Sequence, residues 1–558
     1  MAGFTGIDAV LVNGKVITMD RTGTVAQAVA VHQGRVVAAG TAEAIKLMAG
    51  NKTKVIDVEG GTVLPGFIDS HCHPTFGGTR LVRVDCMTPP NFSIEDVLAR
   101  IAAEVTKRKP GVWILCGGYN MGLIWEKEGR HINRWDLDKV APNNPVQISS
   151  VGGHTGGIYN SCALNMAGIN DQTPDPEPPA VIERGPNRVP SGRVSEVAEN
   201  DLLKLIPAPT PEEHEEMLTL AGKKMLSWGI TTAHDAYVNP ADLVTYQALL
   251  KEGRLLVRTG MMVINLVAKG AGSFSGRDVV DVRKALAEAG MQAGFGGDWL
   301  WLLGIKIIAD GAFTGRTAAM SEPYEGEPVP ESSPMYKGLL HYPAEEIKQF
   351  IYDAHMAGLR PCIHAQGDLG LNVVLDGIEK ALEDRPAVDH RIRIEHCGLT
   401  YQPIIDRLKK LGVCASSSIS FLGGDVSTNW VYWGPERMKW TYALKSFRDE
   451  GIIAGGNGDW PVTTGNPVVG IATAVTRRTI NGNLVGENQA VPVMDALRLY
   501  TTNAAYLEFG ENKKGSIEPG KLADFTVLDR DPTAISAEEL RDLQVKQTIV
   551  DGRVAYHV

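Results

Sequence analysis

Hydrophobic positions change period twice along this chain. Over the first sixty residues, short β-rich runs alternate with Gly turns: DAVLVNGKVITMD, then AVAVHQGRVVAAG, then KVIDVEGGTVLPG, the pattern of successive hairpins. The last fifty residues return to that style, with ADFTVLD and VKQTIVDGRVAYHV on either side of a polar helical stretch. Two β-rich ends around a longer middle predict one small β-sandwich built from both termini, residues 1–63 and 508–558.

The middle, residues 64–507, alternates short apolar strands with segments of helical period such as PAEEIKQFIYDAHMAG and LNVVLDGIEKALED, which predicts parallel β/α units. Eight strand candidates stand in order: LPGFIDSH, GITTAHDA, RTGMMVI, LLGIKIIAD, RPCIHAQ, RIRIEH, GVCASS and GIIAGGNGD. The fold class is therefore α/β, a (β/α)8 TIM-like barrel whose functional groups belong at the C-terminal ends of its strands. The gap of about 150 residues between the first two strands is too long for one helix and two loops. It predicts an inserted subdomain at about 76–195, with a helix in SIEDVLARIAAEVTKR and strands in VWILCGGY and PVQISSVGG.

Composition narrows the class further. A chain of 558 residues, 44% hydrophobic and 22% charged, is neither disordered nor fibrous. A net charge of −10 argues against nucleic acid or an anionic membrane as the partner and leaves a small-molecule substrate. The start MAGFTGIDAVLVNGKVITMD lacks a signal-peptide pattern and no run of about 18 apolar residues follows, so a cytoplasmic protein is expected. Seven cysteines without CxxC spacing read as reduced thiols.

Candidate chemistry gathers at the strand ends. His71 and His73 end the first strand, His364 the fifth and His396 the sixth. Alternate residues of a strand share a face, so Asp69, His71 and His73 point into the barrel mouth, where HxH forms a two-nitrogen metal clamp. Cys72, between them, points away. Lys306 stands mid-strand in LLGIKIIAD, where a lysine must be paired, neutralised or chemically altered; a buried ion pair with Asp310 is the plainer account. Asp459 closes GIIAGGNGDW, either as a ligand and proton acceptor or as a turn residue. His234 and Asp235 end the second strand without a firm role.

These residues resemble the amidohydrolase superfamily, and within it the branch containing the N-substituted formamide deformylases. The resemblance runs nearly end to end: GFIDSHCH, GITTAHDA, IKIIADGAFTGRTA, HAQGDLG, RIEHC and GNGDWPV look like the family's strand signatures, and GGYN, DLDKVAPNNPV and GGHTGGIYNSCAL match in the insert. It implies one or two divalent metals, zinc foremost, with His71, His73 and Asp459 holding the first and His364 and His396 the second. It further implies that Lys306 takes up carbon dioxide as a carboxylated, bridging ligand, and that Asp459 accepts a proton from the attacking water and passes it to the leaving amine. His154 would orient substrate or stabilise an oxyanion; Arg316, Trp125, Tyr119 and Trp460 would contact substrate, with a loop-fixing Asp310–Arg316 pair as the alternative for Arg316. The implied reaction is hydrolysis of a non-peptide amide C–N bond, most concretely of an N-substituted formamide. A carbamate, urea, cyclic imide or lactam fits the same site, and a non-catalytic scaffold of the same fold is the remaining reading. A homo-oligomer, dimer or tetramer, is implied as well. The sequence departs from the family pattern at Cys72 and at Asn457-Gly458, where many relatives carry Gly-Ser.

Overall fold

A computed structural model of the chain describes residues 6–88, 90–150, 156–176, 180–268, 279–313, 316–325, 336–424 and 434–558. Its centre is a single sheet of eight parallel strands: β1 (Phe67–Cys72), β2 (Ile230–Val238), β3 (Arg258–Ile264), β4 (Leu300–Ile308), β5 (Pro361–Ala365), β6 (Arg393–His396), β7 (Cys414–Ser417) and β8 (Ala454–Gly456). Each strand pairs in parallel with the next, with register shifts in the first three pairs, and the sheet curls nearly into a closed barrel.

Between β8 and β1 the seam is sewn by other means. Ser70 Oγ donates to Gly456 O at 2.9 Å, Asp459 N donates to His71 O at 3.0 Å, and His73 N donates to Trp460 O at 2.7 Å. The last two bonds lie past the strand ends and bring three candidate ligands together.

Alternation along β4 explains how the barrel is filled. Trp301 and Leu303 join Ala236, Met262 and Cys362 in an apolar floor inside the barrel, while Leu300 and Leu302 pack outward under the helices. Strict alternation would then send Lys306 outward. Instead the β3–β4 register slips, Met261 facing Leu302 and Met262 facing Gly304, so one extra residue reverses the faces. Ile305 and Ile307 thereby join the outer core, and Lys306 turns inward above Leu303.

The two ends of the chain form the predicted sandwich-like pair of sheets, but not as a run of hairpins. Ala9–Val12 lies in a four-stranded sheet with Ala28–His32, Arg35–Gly40 and Lys54–Asp57. The chain then crosses at Asn13, whose φ is 63°, and Lys15–Ile17 enters the other sheet beside Val25–Ala26 and Thr62–Pro65. Phe525–Leu528, Val545–Val550 and Arg553–His557 complete that second sheet. Leu11, Val29 and Val31 face Val63, Phe525, Val527 and Ile549 in a shared core. Each such buried side chain contributes about 1.5–3 kcal/mol, enough to make two chain ends into one unit.

The insert carries its own mixed six-stranded sheet, with Val84–Asp85, Ile114–Tyr119 and Val146–Ser150 parallel and Gly157–Tyr159, Pro190–Ser195 and Val181–Arg184 following in antiparallel order. Its helix, Ile94–Val105, starts on a Ser93 cap, and Val97 and Ile101 bury against the sheet.

Candidate metal centre

His71 lies on the inner face of β1 and His73 immediately follows that strand, capping the helix Pro74–Val82. Their Nε2 atoms stand 3.5 and 2.9 Å from Asp459 Oδ1, and one ligand atom from each of the three residues lies within 4.8 Å of the others. Lys306 Nζ sits 3.4 Å from His71 Nε2. The His396 ring is 4.6 Å from that of His71 and 4.4 Å from that of His364. Six predicted residues from five strands thus form one cluster. His364 directs Nε2 at Gly311 O, 3.0 Å away, with Asp310 Oδ1 at 3.6 Å.

Two of these residues reach the cluster by unusual backbone. In β6, Arg393 and Glu395 point inward and Ile394 outward, so His396 should follow Ile394. Its φ of 68° turns it inward, and Asp459, at φ 48°, is re-aimed in the same way.

Hydrogen bonds fix the tautomers. His71 Nδ1 donates to Glu395 Oε2 at 2.6 Å, which leaves Nε2 with its lone pair facing Asp459. Burial, with Lys306 adding, pushes the His71 pKa well below the ordinary imidazole range, so the ring is neutral. His396 Nδ1 faces Ser418 Oγ at 2.7 Å; that hydroxyl donates to Asn457 Oδ1 at 2.8 Å, so His396 donates and its Nε2 also keeps a lone pair. Asn457 Nδ2 donates in turn to Ser416 Oγ, which meets Ser70 Oγ at 2.8 Å. Burial likewise holds His396 neutral.

Beneath His71 a chain of buried ionic contacts runs to the barrel floor. Glu395 takes Arg393 Nε at 2.6 Å, Arg393 Nη1 meets His234 Nδ1 at 3.0 Å, His234 Nε2 faces Glu508 Oε2 at 3.2 Å, and Glu508 Oε1 pairs with Lys514 at 3.2 Å. Lys514 itself lies over the Trp301 ring, 4.3 Å from its centroid.

The donor set fits a divalent cation. Asp459 Oδ1 is buried, accepts no hydrogen bond and faces two imidazole nitrogens, an arrangement a cation satisfies. Burial holds the Asp69 carboxyl at about 8, and it accepts the His71 backbone N–H at 3.1 Å from Oδ1; it supports the strand and is not one of the three clustered ligands. Burial lowers the Lys306 amine to about 8, despite the carboxylates of Glu395 and Asp459.

Among the described residues, the other expected site residues are not part of the three-residue ligand group. Asp310 accepts backbone N–H groups of Gln366, Gly367 and Ala319 and so anchors the loop after β4 and the loop after β5; Lys306 instead stands beside His71. Arg316 follows that turn half-buried, at φ 54°. Tyr119 is corrected from pocket lining to the insert core: it is fully buried, and its hydroxyl accepts the Ile132 N–H at 3.2 Å. Trp125 is half exposed on the insert, its ring 4.9 Å from His131. Trp460 is also core, packed edge-on to Trp228 and against Gly77, and serves the site through the carbonyl that holds His73 N. His154 lies outside the described residues. Cys72 packs outward, its Sγ directed at His234 O.

Sequence reasoning missed Glu395, the Ser418–Asn457–Ser416–Ser70 chain, and an aromatic wall made by Phe76, 5.4 Å from both the His73 and Tyr237 rings. Glu395 was findable, because RIRIEH alternates charged with apolar positions and puts Arg393 and Glu395 on the inner face.

The family model described as Amidohydrolase family (Amidohydro_3) matches residues 54–556. The chain is 31% identical over 557 residues to the N-substituted formamide deformylase of Arthrobacter pascens, covering 98% of each protein. A crystal structure of an uncharacterized metal-dependent hydrolase from Pyrococcus horikoshii OT3 aligns with a TM-score of 0.74 at 25% identity, over 95% of this chain and 99% of that one. An adenosine deaminase from Xanthomonas campestris, with bound zinc, shares the fold at a TM-score of 0.54 and 12% identity, over 98% of this chain and 92% of that one.

Proposed function

Since the chain belongs to the amidohydrolase family, we propose that it is a metal-dependent hydrolase of a non-peptide amide C–N bond in a small organic substrate, an N-substituted formamide being the favoured case. The observation that carries this reading is the convergence of His71, His73 and Asp459 around one unsatisfied carboxylate oxygen. These three residues would hold the ion, with His396 and Lys306 beside them. A divalent cation there, zinc by the nitrogen-rich donor set, supplies the Lewis acidity that acidifies water and polarises an acyl oxygen.

The protein's own groups then have distinct tasks. His71 presents a neutral nitrogen whose aim is fixed by Glu395, and the backbone of His73 is held by the Trp460 carbonyl. Asp459 is the carboxylate at the mouth: with Oδ1 turned to the ion, its other oxygen would take the proton of the attacking water and return it to the departing nitrogen, which cannot leave as an amide anion. A lysine amine lowered to about 8 is about one-tenth neutral at pH 7, against well under about a thousandth for one at 10.5; the neutral form is the one that adds carbon dioxide, and this supports carboxylation of Lys306. Phe76, about two-fifths exposed beside His73, gives the organic group of the substrate an apolar face.

The test is metal per chain on protein purified without chelator, together with turnover of a benzyl formamide, an acetanilide, a carbamate and a cyclic imide before and after chelation. One or two equivalents of metal and chelator-sensitive release of formate are expected. Release of carbon dioxide or of a ring-opened acid instead would move the bond to a carbamate or an imide. Protein that takes up no zinc, manganese or cobalt and turns over none of the four even with bicarbonate is a scaffold, and the reading fails.

A further inference from the structure

Tyr442 stands between β7 and β8 with its backbone in the left-handed region, at φ 45°. Two anchors hold it there. Its N–H donates to Gly398 O at 2.9 Å, two residues past His396, and its carbonyl accepts Arg477 Nη1 at 3.1 Å. Arg477 is completely buried and directs the rest of its guanidinium to the carbonyls of Thr441 and Val485, so that one side chain clamps the whole turn. On the ring side, Tyr442 meets Phe313 edge-on at 6.4 Å, and the Phe313 N–H donates to Gln366 Oε1, two residues past His364. The ring is therefore wedged between the loops that follow His364 and His396.

Its hydroxyl is the exception to this order. It is fully buried and has no hydrogen-bond partner among the described residues. Buried phenols ordinarily find one, and a group left without a partner calls for a reason. Burial raises the hydroxyl pKa well above the usual range, and the nearby Asp459 carboxylate raises it further. The group is thus a permanent donor that feels the charge of the centre without bonding to it.

We propose that Tyr442 is a substrate contact of the metal centre, its hydroxyl donating a hydrogen bond to the acyl oxygen of the bound amide. The assignment rests on the hydrolase reading above and adds to it a protein donor for the oxygen that gains negative charge. No partner is needed in the free protein, because the partner arrives with the substrate. The strained, clamped backbone keeps the donor in place beforehand, as transition-state stabilisation requires.

Tyr442→Phe removes the hydroxyl and keeps the ring. Expected are unchanged metal content, a melting temperature equal to or above that of the wild type, and a fall in kcat/KM of about 10²-fold, carried mainly by kcat. On the metal-loaded protein, calorimetry should show acetohydroxamate binding weakened by about tenfold. A merely structural tyrosine predicts otherwise: turnover and hydroxamate affinity within about twofold of wild type would overturn the assignment, as would a metal-loaded wild type that binds no hydroxamate. If the wild type holds metal and binds hydroxamate but hydrolyses none of the four amides, the amide reading fails, while the ratio of hydroxamate affinities still decides the role of Tyr442. A wild type that takes up no metal overturns both.

Discussion

His396 and Asp459 hold φ values of 68° and 48°, a region that L-residues enter at about 1–3 kcal/mol each and that clusters at working sites. For Asp459 the penalty comes with another, since its Oδ1 is buried without a hydrogen bond. Asp459→Asn should therefore lower kcat/KM by about 10³-fold and deplete bound metal, while the metal-free protein melts no lower than wild type, because the substitution replaces a buried carboxylate whose Oδ1 accepts no hydrogen bond. Metal analysis, steady-state rates and calorimetric melting on the same preparation check all three. At this scale the sequence was most informative where alternation is simple. His71 and His73, two apart on one strand, announce themselves; Tyr119, Trp125 and Trp460 do not reveal whether an aromatic lines a pocket or fills a core. Lys306 is legible as an anomaly, but the bulge that turns it inward leaves no mark in LLGIKIIAD.

The helix Pro74–Val82 is the element through which the first strand's ligands are held. It packs with Gly77 under Trp460 and Gly78 against the helix Pro211–Leu226: a Cβ on Gly77 would stand 2.1 Å from the Trp460 ring, and one on Gly78 only 2.2 Å from the Met217 carbonyl oxygen. The indole can shift; the helix backbone cannot without moving as a unit. Gly78→Ala is thus expected to push this helix outward, drag His73 at its N-terminus off Asp459, and weaken metal binding by about tenfold or more while destabilising the fold by about 1–3 kcal/mol. A metal titration and a urea melt measure the two effects, and wild-type values in both would refute this packing account. Element identity was largely legible, since all eight strand segments and the insert helix follow from hydrophobic period. Pairing was not: the jump at Asn13 between sheets depends on which distant strand lies alongside, and Thr62–Pro65 finds its partner in Phe525–Leu528.

Across the whole molecule, the line from Lys514 through Glu508, His234, Arg393 and Glu395 to His71 ties the segment leaving the barrel to the metal centre. Burial alone would raise the Glu508 pKa, but Lys514 and His234 together outweigh it and hold the carboxyl at about 2. A carboxylate with a depressed folded-state pKa stabilises the fold above its unfolded value of 4.5 and loses that contribution as pH falls toward 2. Glu508→Gln should cost about 3–5 kcal/mol at pH 7, with the difference from wild type shrinking below pH 4.5 in denaturant melts taken across that range. An equal deficit at all pH values would place the loss in packing. No local pattern shows such a line, because each link joins residues far apart in the chain. The same remoteness shapes how the protein is made. Thr62–Pro65 leaves the ribosome about 460 residues before the strand it pairs with, an interval on the order of tens of seconds at ordinary rates of synthesis. Through that interval the nascent N-terminal strands carry an open hydrophobic face, which is covered only when Phe525–Leu528 and the strands after it emerge.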